Sequence, residues 1–574
     1  MAETLLSPGV LARENDQSQI TQGPREFGAA IIGPAVKGPV EIPTLVTSYS
    51  EYNSIFGSTV ESGSNVYSYL TSITANNYFQ NGGTSLLVTR VTSGSFTSAT
   101  SSLIETGSSG PTTGLSPFVL ETISEGEIMN SDSTDTSGAL ESGSADNIRW
   151  EIASANTASG TFSLLIRRGN DTPNSKVVLE SYNNLSLDPY SSNYISKVIG
   201  DVTQNLRNEG TDYYIQESGS YPNASRYVRV KEVNYKTPNY FDNLGLAKDI
   251  YTGSLPAVGS GSFGAAVGSN LPTGRAANFY TAINATDAQG LIGADYNNAI
   301  SLLSNQDDYQ YNIISVPGLN HNNHATQITN LVNNSISRGD NISIIDLYGY
   351  GASVTNVTTK AAGFDNSYAA AYWPWVQTVD PNTGELVFVP ASAMIPGVYA
   401  FTDASSEPWF APAGITRGGL GQVLKAERKL TAGQRDTLYE ANVNPIATFP
   451  STGVVVFGQK TLQKRASALD RVNVRRLLIA LKSYISQVSD TLVFEQNTIA
   501  TRNNFLTQVN PYLESVQQRQ GLYAFKVVMD DTNNTPDVID RNELLGQIFI
   551  QPTKTAEFII LDFNILPTGA TFPA

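Results

Sequence analysis

Two histidines, His321 and His324, have the type and spacing in this 574-residue sequence that first suggest chemistry. An i, i+3 histidine pair on a helix could bind a metal ion. Here the pair follows Pro317-Gly318, which predicts a loop that enters a helix. The sequence has no cysteine, and nothing in it fixes a carboxylate as a third ligand. We predict no metal site, with the Asn and His side chains of this segment capping and solvating the next helix.

Three other segments match known motifs only in part. Residues 259–264 (GSGSFG) have the spacing of a phosphate-binding glycine loop but lack the strand before it and the helix after it, so we predict a flexible loop. Residues 417–422 (RGGLGQ) predict a turn, and residues 530–540 lack the spacing of a calcium loop and predict turns. No nucleophile motif of a Ser-His-Asp hydrolase is present. The sequence therefore predicts neither an enzyme nor a cofactor.

A basic cluster between residues 460 and 482 is the charged feature that remains. It holds seven basic residues against one acid, Asp470, in a chain of net charge −16. The basic residues are Lys460, Lys464, Arg465, Arg471, Arg475, Arg476 and Lys482. A charge run usually marks a solvated helix face, and the alternative is docking onto an acidic partner. Composition favours neither interpretation.

Length and composition indicate a large β-rich globular protein. A prior of one domain per ~150 residues suggests about three or four domains. Hydrophobic residues make up 40% of the chain and charged residues 15%, beside 47 glycines. The acidic balance, with a pI near 4.7, argues against broad nucleic-acid binding. No apolar run approaches the ~18 residues that span a bilayer, and no signal-peptide pattern is seen, so we expect a soluble protein made in a cytoplasm.

The elements that must position these residues follow from periodicity. Residues 311–318, 324–338 and 341–349 predict a strand, a helix and a strand, which together make a βαβ unit. Nearer the N-terminus, residues 27–32 and 86–91 predict strands, and residues 64–79 predict a helix.

The segment between these parts has a different composition. Residues 92–244 contain Ser/Thr/Gly-rich stretches and short β-like runs, which predict an inserted β domain. Its predicted strands are residues 118–123, 147–152, 160–168 and 176–182.

The C-terminal part predicts two helices and a closing strand. Residues 467–488 show an apolar stripe, with Ser467 and Asp470 as an approximate capping box. Residues 498–520 predict a second helix, and Phe558–Ile565 predicts a half-apolar strand near the chain end.

Several motifs, in this order, resemble the contractile tail sheath proteins of bacteriophages. The matching segments are SPGV (7–10), FQNGGTSLLVTRV (79–91), NIISVPGL (312–319), SYAAAYWPWV (367–376), VPASAMIPGVYAFTD (389–403), WFAPAG (409–414), ANVNPI (441–446), DRVNVRRLL (470–478), VFEQN (493–497) and PTKTAEFIILDF (552–563). Within the insertion, PFVLETISEGEIMNS (117–131) is similar to the larger sheath proteins of T4-like phages.

The resemblance implies an α+β multidomain fold. An α/β sheath core carries an inserted, mainly β surface domain, and strands from neighbouring subunits complete a C-terminal α/β domain. The implied divisions are an N-terminal linking arm (1–22), sheath core (23–91 and 245–454), insertion (92–244), C-terminal tube-proximal domain (455–562) and C-terminal linking arm (563–574).

The resemblance also implies a function. Such subunits polymerise as stacked hexameric rings around a tail tube in a metastable extended state, and contract to drive the tube through the host envelope. The implied partners are further copies of the chain, the tail tube protein, and the baseplate and tail terminator proteins, without nucleic acid or membrane insertion. The implied location is the virion tail, assembled in the host cytoplasm. The alternatives are a sheath-like subunit of another contractile injection system, or a non-contractile structural virion protein.

The resemblance further implies which residues make these contacts. The family places a helix of the C-terminal domain against the tube, and the match points to residues 498–520 with Arg502 and Arg519. The helix at 467–488 is more basic, so Arg475, Arg476 and Lys482 are further candidates for tube contact. The candidates for strands that enter neighbouring subunits are Val10, Leu11, Phe563 and Ile565.

Overall fold

The computed structural model describes residues 28–62, 65–107, 115–131, 134–210, 212–269 and 280–557. The predicted arms at 1–22 and 563–574, and the closing strand from Phe558, lie outside the described residues. The described part is a mixed α/β protein with several sheets, as predicted. No described helix combines the length and apolar character that a membrane span requires.

Eight of the described strands form one sheet, called here the core sheet. Its five inner pairs are parallel and its two edge pairs are antiparallel. In spatial order the strands are Thr44–Val46, Leu86–Arg90, Ala29–Gly33, Ile313–Asn320, Ile342–Asp346, Ala369–Trp373, Val443–Phe449 and Gly453–Val456.

The inner strands have the sequence character of buried parallel strands. Every residue of Ala29–Gly33 (AAIIG) and Ile342–Asp346 (ISIID) is buried, because helices cover both faces of such sheets. The predicted βαβ unit is confirmed, since Ile313–Asn320 and Ile342–Asp346 pair in parallel and helix Ala325–Arg338 connects them. Gly339, at φ 71°, ends this helix in the left-handed conformation that glycine adopts without strain.

Helices and a small sheet surround the core sheet. The helices are Tyr49–Phe56, Leu70–Gln80, Asn297–Leu302, Ala325–Arg338, Val354–Ala361, Ala391–Ser405, Gly414–Arg417 and Ala432–Glu440. The small sheet contains Val376–Val379, Leu386–Val389 and Val423–Ala426. The helix predicted from residue 64 begins only at Leu70, because Asn65–Tyr67 pairs with Val60–Ser62 as a strand.

The insertion is mainly β, as predicted, and has its own apolar core. One four-stranded sheet contains Val178–Ser186, Thr161–Arg168, Ile148–Asn156 and Gly259–Gly261, and the other contains Val228–Val233, Phe118–Glu125, Ser98–Ser101 and Phe263–Gly264. A hairpin of Thr203–Glu209 and Asp212–Ser218 and the short helices Ile195–Ile199 and Asp249–Thr252 accompany them.

The prediction of a flexible glycine loop at 259–264 is wrong. Gly259–Gly261 pairs with Trp150–Ile152, and Phe263–Gly264 pairs with Thr100–Ser101. These partners lie more than 100 residues earlier, so local sequence gives no sign of the pairing. Strand pairing within the insertion thus continues beyond the expected boundary at residue 244.

Buried polar contacts join the insertion to the core sheet. Arg90 ends a core strand, is fully buried, and donates to the backbone oxygens of Gly38 (2.5 Å) and Glu125 (2.9 Å). Burial lowers the pKa of Arg90 to about 10. The Glu125 carboxylate accepts from the Val40 N–H at 3.0 Å. Since a buried bond of this kind is costly to break, the root of the insertion is firmly held.

The C-terminal part contains a helix pair and a hairpin, which we call the C-terminal module (residues 472–557). Its elements are helices Val472–Asp490, Ile499–Gln518 and Pro536–Asp540, and strands Leu522–Val528 and Gln547–Pro552. The predicted helix at 498–520 is confirmed, with Thr498 accepting from the Thr501 N–H at 3.3 Å as its N-cap. The helix predicted from Ser467 starts later, because Ser467 caps a separate 3₁₀ turn at Ala468–Asp470.

Candidate assembly surface

The two long helices of the C-terminal module pack along an apolar seam. The seam follows from helical spacing, since Phe505, Val509, Leu513 and Val516 recur every three or four residues and are buried. Leu477, Leu481 and Val488 face them from the other helix. The rings of Tyr484 and Tyr512 stack with their centroids 3.9 Å apart. The helix pair is therefore a stable support for the hairpin that follows it.

The hairpin, called here the terminal hairpin, pairs Leu522–Val528 with Gln547–Pro552 in antiparallel register. Within the described residues neither strand has a second neighbouring strand, although the Tyr523 and Val528 carbonyl oxygens accept hydrogen bonds from Gln517 and Asn533 side chains. Tyr523 and Phe549 are 63% and 56% exposed. Strands without a second neighbour are templates for additional strands. This two-stranded sheet is the site in the module best suited to accept a strand.

After the hairpin the chain returns to the core and is held at Glu557, the last described residue. Arg471 donates to both carboxylate oxygens of Glu557 (Nε–Oε1 2.7 Å, Nη2–Oε2 3.0 Å). The Tyr439 hydroxyl donates at 2.8 Å, and Gln459 Nε2 donates at 3.2 Å. We call this group the Glu557 clamp. It holds the last described residue against the core.

The electrostatics of the clamp favour an ionised carboxylate. Burial alone would raise the pKa of Glu557, but the hydrogen bonds from Arg471 and Tyr439 and the Arg471 charge hold that pKa below its usual range. Burial, followed by the hydrogen bond to Glu557, raises the pKa of the Tyr439 hydroxyl, which keeps it protonated as a donor. The clamp is thus a bidentate ion pair, the stronger class of hydrogen-bonded contact.

The basic cluster at 460–482 is divided between exposed positions, such as Lys464, Arg465 and Lys482, and two buried arginines of the first long helix. Arg475 is 4% exposed, lies 4.0 Å from the Tyr368 ring centroid and donates to the Ser367 hydroxyl. Arg476 is also buried and donates to both carboxylate oxygens of Asp403 (2.7 and 2.5 Å). Neither interpretation of the cluster, a solvated face or a docking patch, fits these two residues, because their guanidinium groups connect the module to the core.

The remaining candidates for tube contact differ in their exposure. Arg502 is 5% exposed and pairs with Asp531 at 2.6 Å. Arg519 is half exposed, pairs with Glu407 at 2.7 Å and lies over the Trp409 ring. Lys482 is exposed, with its Nζ 3.5 Å from the Tyr368 hydroxyl. A role in tube contact stays a prediction for all five candidates, although most of them already have partners within the chain. The candidates are Arg475, Arg476, Lys482, Arg502 and Arg519.

A cleft of about 490 Å³ lies between the C-terminal module and the core. Trp409, Tyr512, Ala480 and two ion pairs line it, Arg476–Asp403 and Arg519–Glu407. Each cation in the lining is matched by a carboxylate, so the cleft presents no net charge from these pairs. The arrangement joins the two parts of the chain without filling the space between them.

The histidine segment has a structural explanation. His324 is buried, with Nδ1 accepting from the Asn320 N–H (3.3 Å) and Nε2 lying 3.2 Å from the Asn284 carbonyl oxygen. The prediction that it solvates the next helix is wrong, because its ring is buried against the backbone of Asn320 and Asn284. Burial lowers the pKa of both His321 and His324. In the part of the chain that the structure describes, no group of three or more His, Asp or Glu side chains could hold a metal ion.

Sequence reasoning missed Glu557 and its partners. The available signal was a carboxylate within the closing motif PTKTAEFIILDF and a basic run, 460–482, without an assigned partner. The four inter-subunit strand candidates, Val10, Leu11, Phe563 and Ile565, lie outside the described residues.

Comparison with known proteins connects this arrangement to one family. Residues 289–462 match the family described as phage tail sheath protein central domain, and residues 465–566 match the phage tail sheath C-terminal domain. A tail sheath protein of Vibrio phage KVP40 is 39% identical over 217 residues, which cover 38% of this chain and 31% of the relative. The tail sheath protein of Enterobacteria phage T4 is 37% identical over 217 residues, covering 38% and 32%. The aligned segment spans about a third of the length of these curated relatives.

A solved structure extends the comparison to the fold. The crystal structure of a sheath tail protein from Listeria innocua superposes with a TM-score of 0.51 at 11% identity. The match covers 92% of this chain and 96% of that chain, so the two share a fold.

Proposed function

Because the chain carries the central and C-terminal domains of phage tail sheath proteins, we propose that it is the structural subunit of a contractile tail sheath in a T4-like virion. The observation that carries this proposal is the presence of the two domains side by side, one on the core sheet and one on the C-terminal module. The subunit polymerises as stacked hexameric rings around a tail tube. On a signal from the baseplate the polymer contracts and drives the tube through the host envelope.

Strand addition at the terminal hairpin links the subunits. Arms at 1–22 and 563–574, with Val10, Leu11, Phe563 and Ile565 as candidate contact residues, each add a strand to a hairpin in a neighbouring subunit. Two observations support this proposal: among the described residues the hairpin has no third strand, and its Tyr523 and Phe549 are exposed. Main-chain hydrogen bonds supply the affinity, and alternate side chains supply the specificity. The Glu557 clamp sets where the C-terminal arm departs, so the linkage keeps a defined origin when subunits move.

The partners follow from the same proposal. The C-terminal module faces the tube, the ends of the polymer meet the baseplate and the tail terminator, and the insertion lies on the outer surface. Individual tube contacts are weak, since contraction must break them, and repetition around the ring supplies avidity. Assembly takes place in the host cytoplasm, and the product is part of the virion tail.

Electron microscopy of purified polymers tests contraction. We expect a long, narrow form with a tube and a short, wide form without one. A single polymer geometry under all conditions would contradict a contractile sheath and favour a static virion protein.

Deletion of residues 563–574 tests the linkage. We expect a folded subunit, with near-wild-type thermal unfolding, that no longer forms polymers. The matched control is Tyr190→Ser, since Tyr190 is 75% exposed on the insertion, away from the hairpin. Normal polymerisation of the truncated chain would remove the C-terminal arm from the proposal.

A further inference from the structure

The cleft between the core and the C-terminal module lies at the N-terminal edge of the core sheet. Three inner strands start at this edge in register, since Ala29 pairs with both Leu86 and Ile313. Thr84 and Asn312, which lie just before two of these strands, line the cleft. Because parallel strands in register begin at one edge, the start of the third strand, at Ala29, lies beside the cleft as well.

Gly28, the first described residue, is held tightly at this position. Its carbonyl oxygen accepts from the Asn312 N–H at 3.0 Å. A Cβ atom at Gly28 would lie 1.9 Å from the Ser85 carbonyl oxygen, so only glycine allows the two backbones to approach this closely. Residues 23–27 (GPREF) are joined covalently to this point. The segment before Gly28 is therefore tethered at the cleft.

Two polar groups of the cleft lining are left without a hydrogen-bond partner among the described residues. Arg476 is 4% exposed, and its Nη1 is buried and unbonded there. The buried Asn312 Oδ1 is in the same situation. A buried donor or acceptor without a partner is costly. A peptide backbone supplies a carbonyl oxygen for the first group and an N–H for the second, so the pair suits a segment of chain.

The rest of the lining matches the composition of residues 23–27. The two ion pairs of the cleft balance each other's charges, and Ala400 and Ala480 add apolar surface. In the segment Arg25 and Glu26 also balance, and Phe27 is a large apolar side chain. The cleft volume of about 490 Å³ lies in the range of binding clefts, roughly 300–1,000 Å³.

We propose that residues 23–27 of the same chain occupy the cleft, with Phe27 against its apolar wall. The covalent connection at Gly28 gives this segment a high effective concentration at the cleft, which a second copy lacks. The C-terminal residues start elsewhere, since Glu557 is held by Arg471 and Tyr439, and neither of these lines the cleft.

The position of the segment has a consequence for the linking arm at 1–22. The arm then departs from between the core and the C-terminal module. A pull on the arm by a neighbouring subunit therefore acts on the contact between these two parts of the chain. This consequence rests on the proposed function, whereas the occupation of the cleft does not.

Crosslinking of the full chain tests the contact. The sequence has no cysteine, so a pair of introduced thiols reports one contact. The test variant carries Glu26→Cys, which keeps Phe27, and Ala480→Cys in the lining. The control variant carries Glu26→Cys and Tyr190→Cys, since Tyr190 is 75% exposed on the insertion. With a short bismaleimide and dilute, unpolymerised chains, we expect about tenfold or more intrachain link in the test variant, measured by mass spectrometry.

Thiol labelling of Ala480→Cys provides a second measurement. Deletion of residues 1–22 keeps the proposed occupant, whereas deletion of residues 1–27 removes it, so the two truncations are matched. We expect the first truncation to be labelled at the rate of the full chain, and the second about tenfold or more faster, because the segment no longer covers the thiol. Thermal unfolding shows whether each truncated chain is folded.

Each outcome decides the proposal. Equal link yields in the test and control variants overturn it, and so do equal labelling rates in the two folded truncations. If the shorter truncation does not fold, the link yields alone decide. Links between chains, when Glu26→Cys and Ala480→Cys proteins are mixed, would show that a second copy supplies the segment and would overturn the assignment. None of these measurements needs polymers, so a failure of the proposed sheath function is detected separately, by electron microscopy.

Discussion

The core sheet and the terminal hairpin are both β structure, but they differ in how many strands they pair and in how large a share of their residues is buried. The core sheet has eight strands, antiparallel edge pairs and inner strands that are almost entirely buried. The terminal hairpin has two strands, alternates exposed with half-buried residues and, among the described residues, has no third strand. The hairpin packs on the helix pair through one face, since Leu522 is buried in the apolar seam and Phe525 and Ile550 lie against it, and a two-stranded sheet needs such packing to be stable. The difference indicates that one sheet supports the subunit and the other depends on further contacts.

The connections of the C-terminal module extend this contrast. The insertion joins the core through fully buried polar bonds at Arg90. The C-terminal module joins it across a cleft, through the ion pairs of Arg476 and Arg519 and through the Glu557 clamp. Arg476 is buried, whereas the Arg519–Glu407 pair and the Glu557 clamp are partly exposed, and partly exposed ion pairs contribute less to stability than buried polar bonds. We therefore expect substitutions at buried positions to change stability, and substitutions at exposed positions of the module to change assembly.

The largest expected effect is on a core strand. Ile344 is buried at the centre of the core sheet, so Ile344→Ala removes apolar contacts and leaves a cavity. We expect the free energy of unfolding to fall by about 4 kcal/mol, measured by urea denaturation. The matched variant is Phe549→Ala in the terminal hairpin, which should change that free energy by less than about 1 kcal/mol because the ring is 56% exposed. Equal losses of unfolding free energy in the two variants would contradict the difference in stability between the core sheet and the terminal hairpin.

A second effect is the pH dependence set by Asp346 at the end of a core strand. Burial raises the pKa of this carboxyl to about 7, although the Ser392 N–H and hydroxyl both donate to it. Between pH ~4, the pKa of an aspartate in the unfolded chain, and pH 7, Asp346 keeps its proton in the folded state and has lost it in the unfolded state. The free energy of unfolding therefore falls as pH rises through this range. Asp346→Asn should lack this fall, which we expect to be about 3 kcal/mol between pH 4 and 8. Parallel stability curves for the two proteins would contradict the assignment.

The Glu557 clamp should show the opposite pH dependence. Its folded-state pKa is depressed, so its contribution is complete above the unfolded pKa and is lost as pH falls through the folded pKa. Glu557→Gln should lower the free energy of unfolding at pH 7 by about 1–2 kcal/mol and flatten the loss at acidic pH. Arg471→Gln is the matched variant, since it removes the other half of the ion pair. An unchanged acid profile in both variants would show that the clamp does not hold the chain.

The sequence was most informative where structure depends on local periodicity. The helix at 498–520 was predicted, and the βαβ unit followed from a strand, a helix and a strand at residues 311–318, 324–338 and 341–349; the structure contains both. Pairing over long distances could not be predicted in the same way. Tyr368 and Asp403, which bury Arg475 and Arg476, lie more than 70 residues earlier in the chain, and nothing near either arginine indicates them. The start of the helix at Val472 was missed because Ser467 caps a 3₁₀ turn that resembles a helix start.

The smallest expected effect separates exposed from buried cations on the same helix. Lys482 is exposed and makes one long contact, Nζ to the Tyr368 hydroxyl at 3.5 Å. Lys482→Gln should therefore change the free energy of unfolding by less than about 0.5 kcal/mol, as exposed charges usually do. Arg475→Gln, about two turns earlier on the same helix, should cost several times more, because it leaves a buried site with unmatched polar groups. Urea denaturation of both variants beside the wild type measures the difference. If Lys482→Gln were as destabilising as Arg475→Gln, the burial of Arg475 would not explain its contribution to stability. If Lys482→Gln instead left stability unchanged but weakened co-sedimentation with tail tubes, helix Val472–Asp490 would contribute to the proposed tube contact.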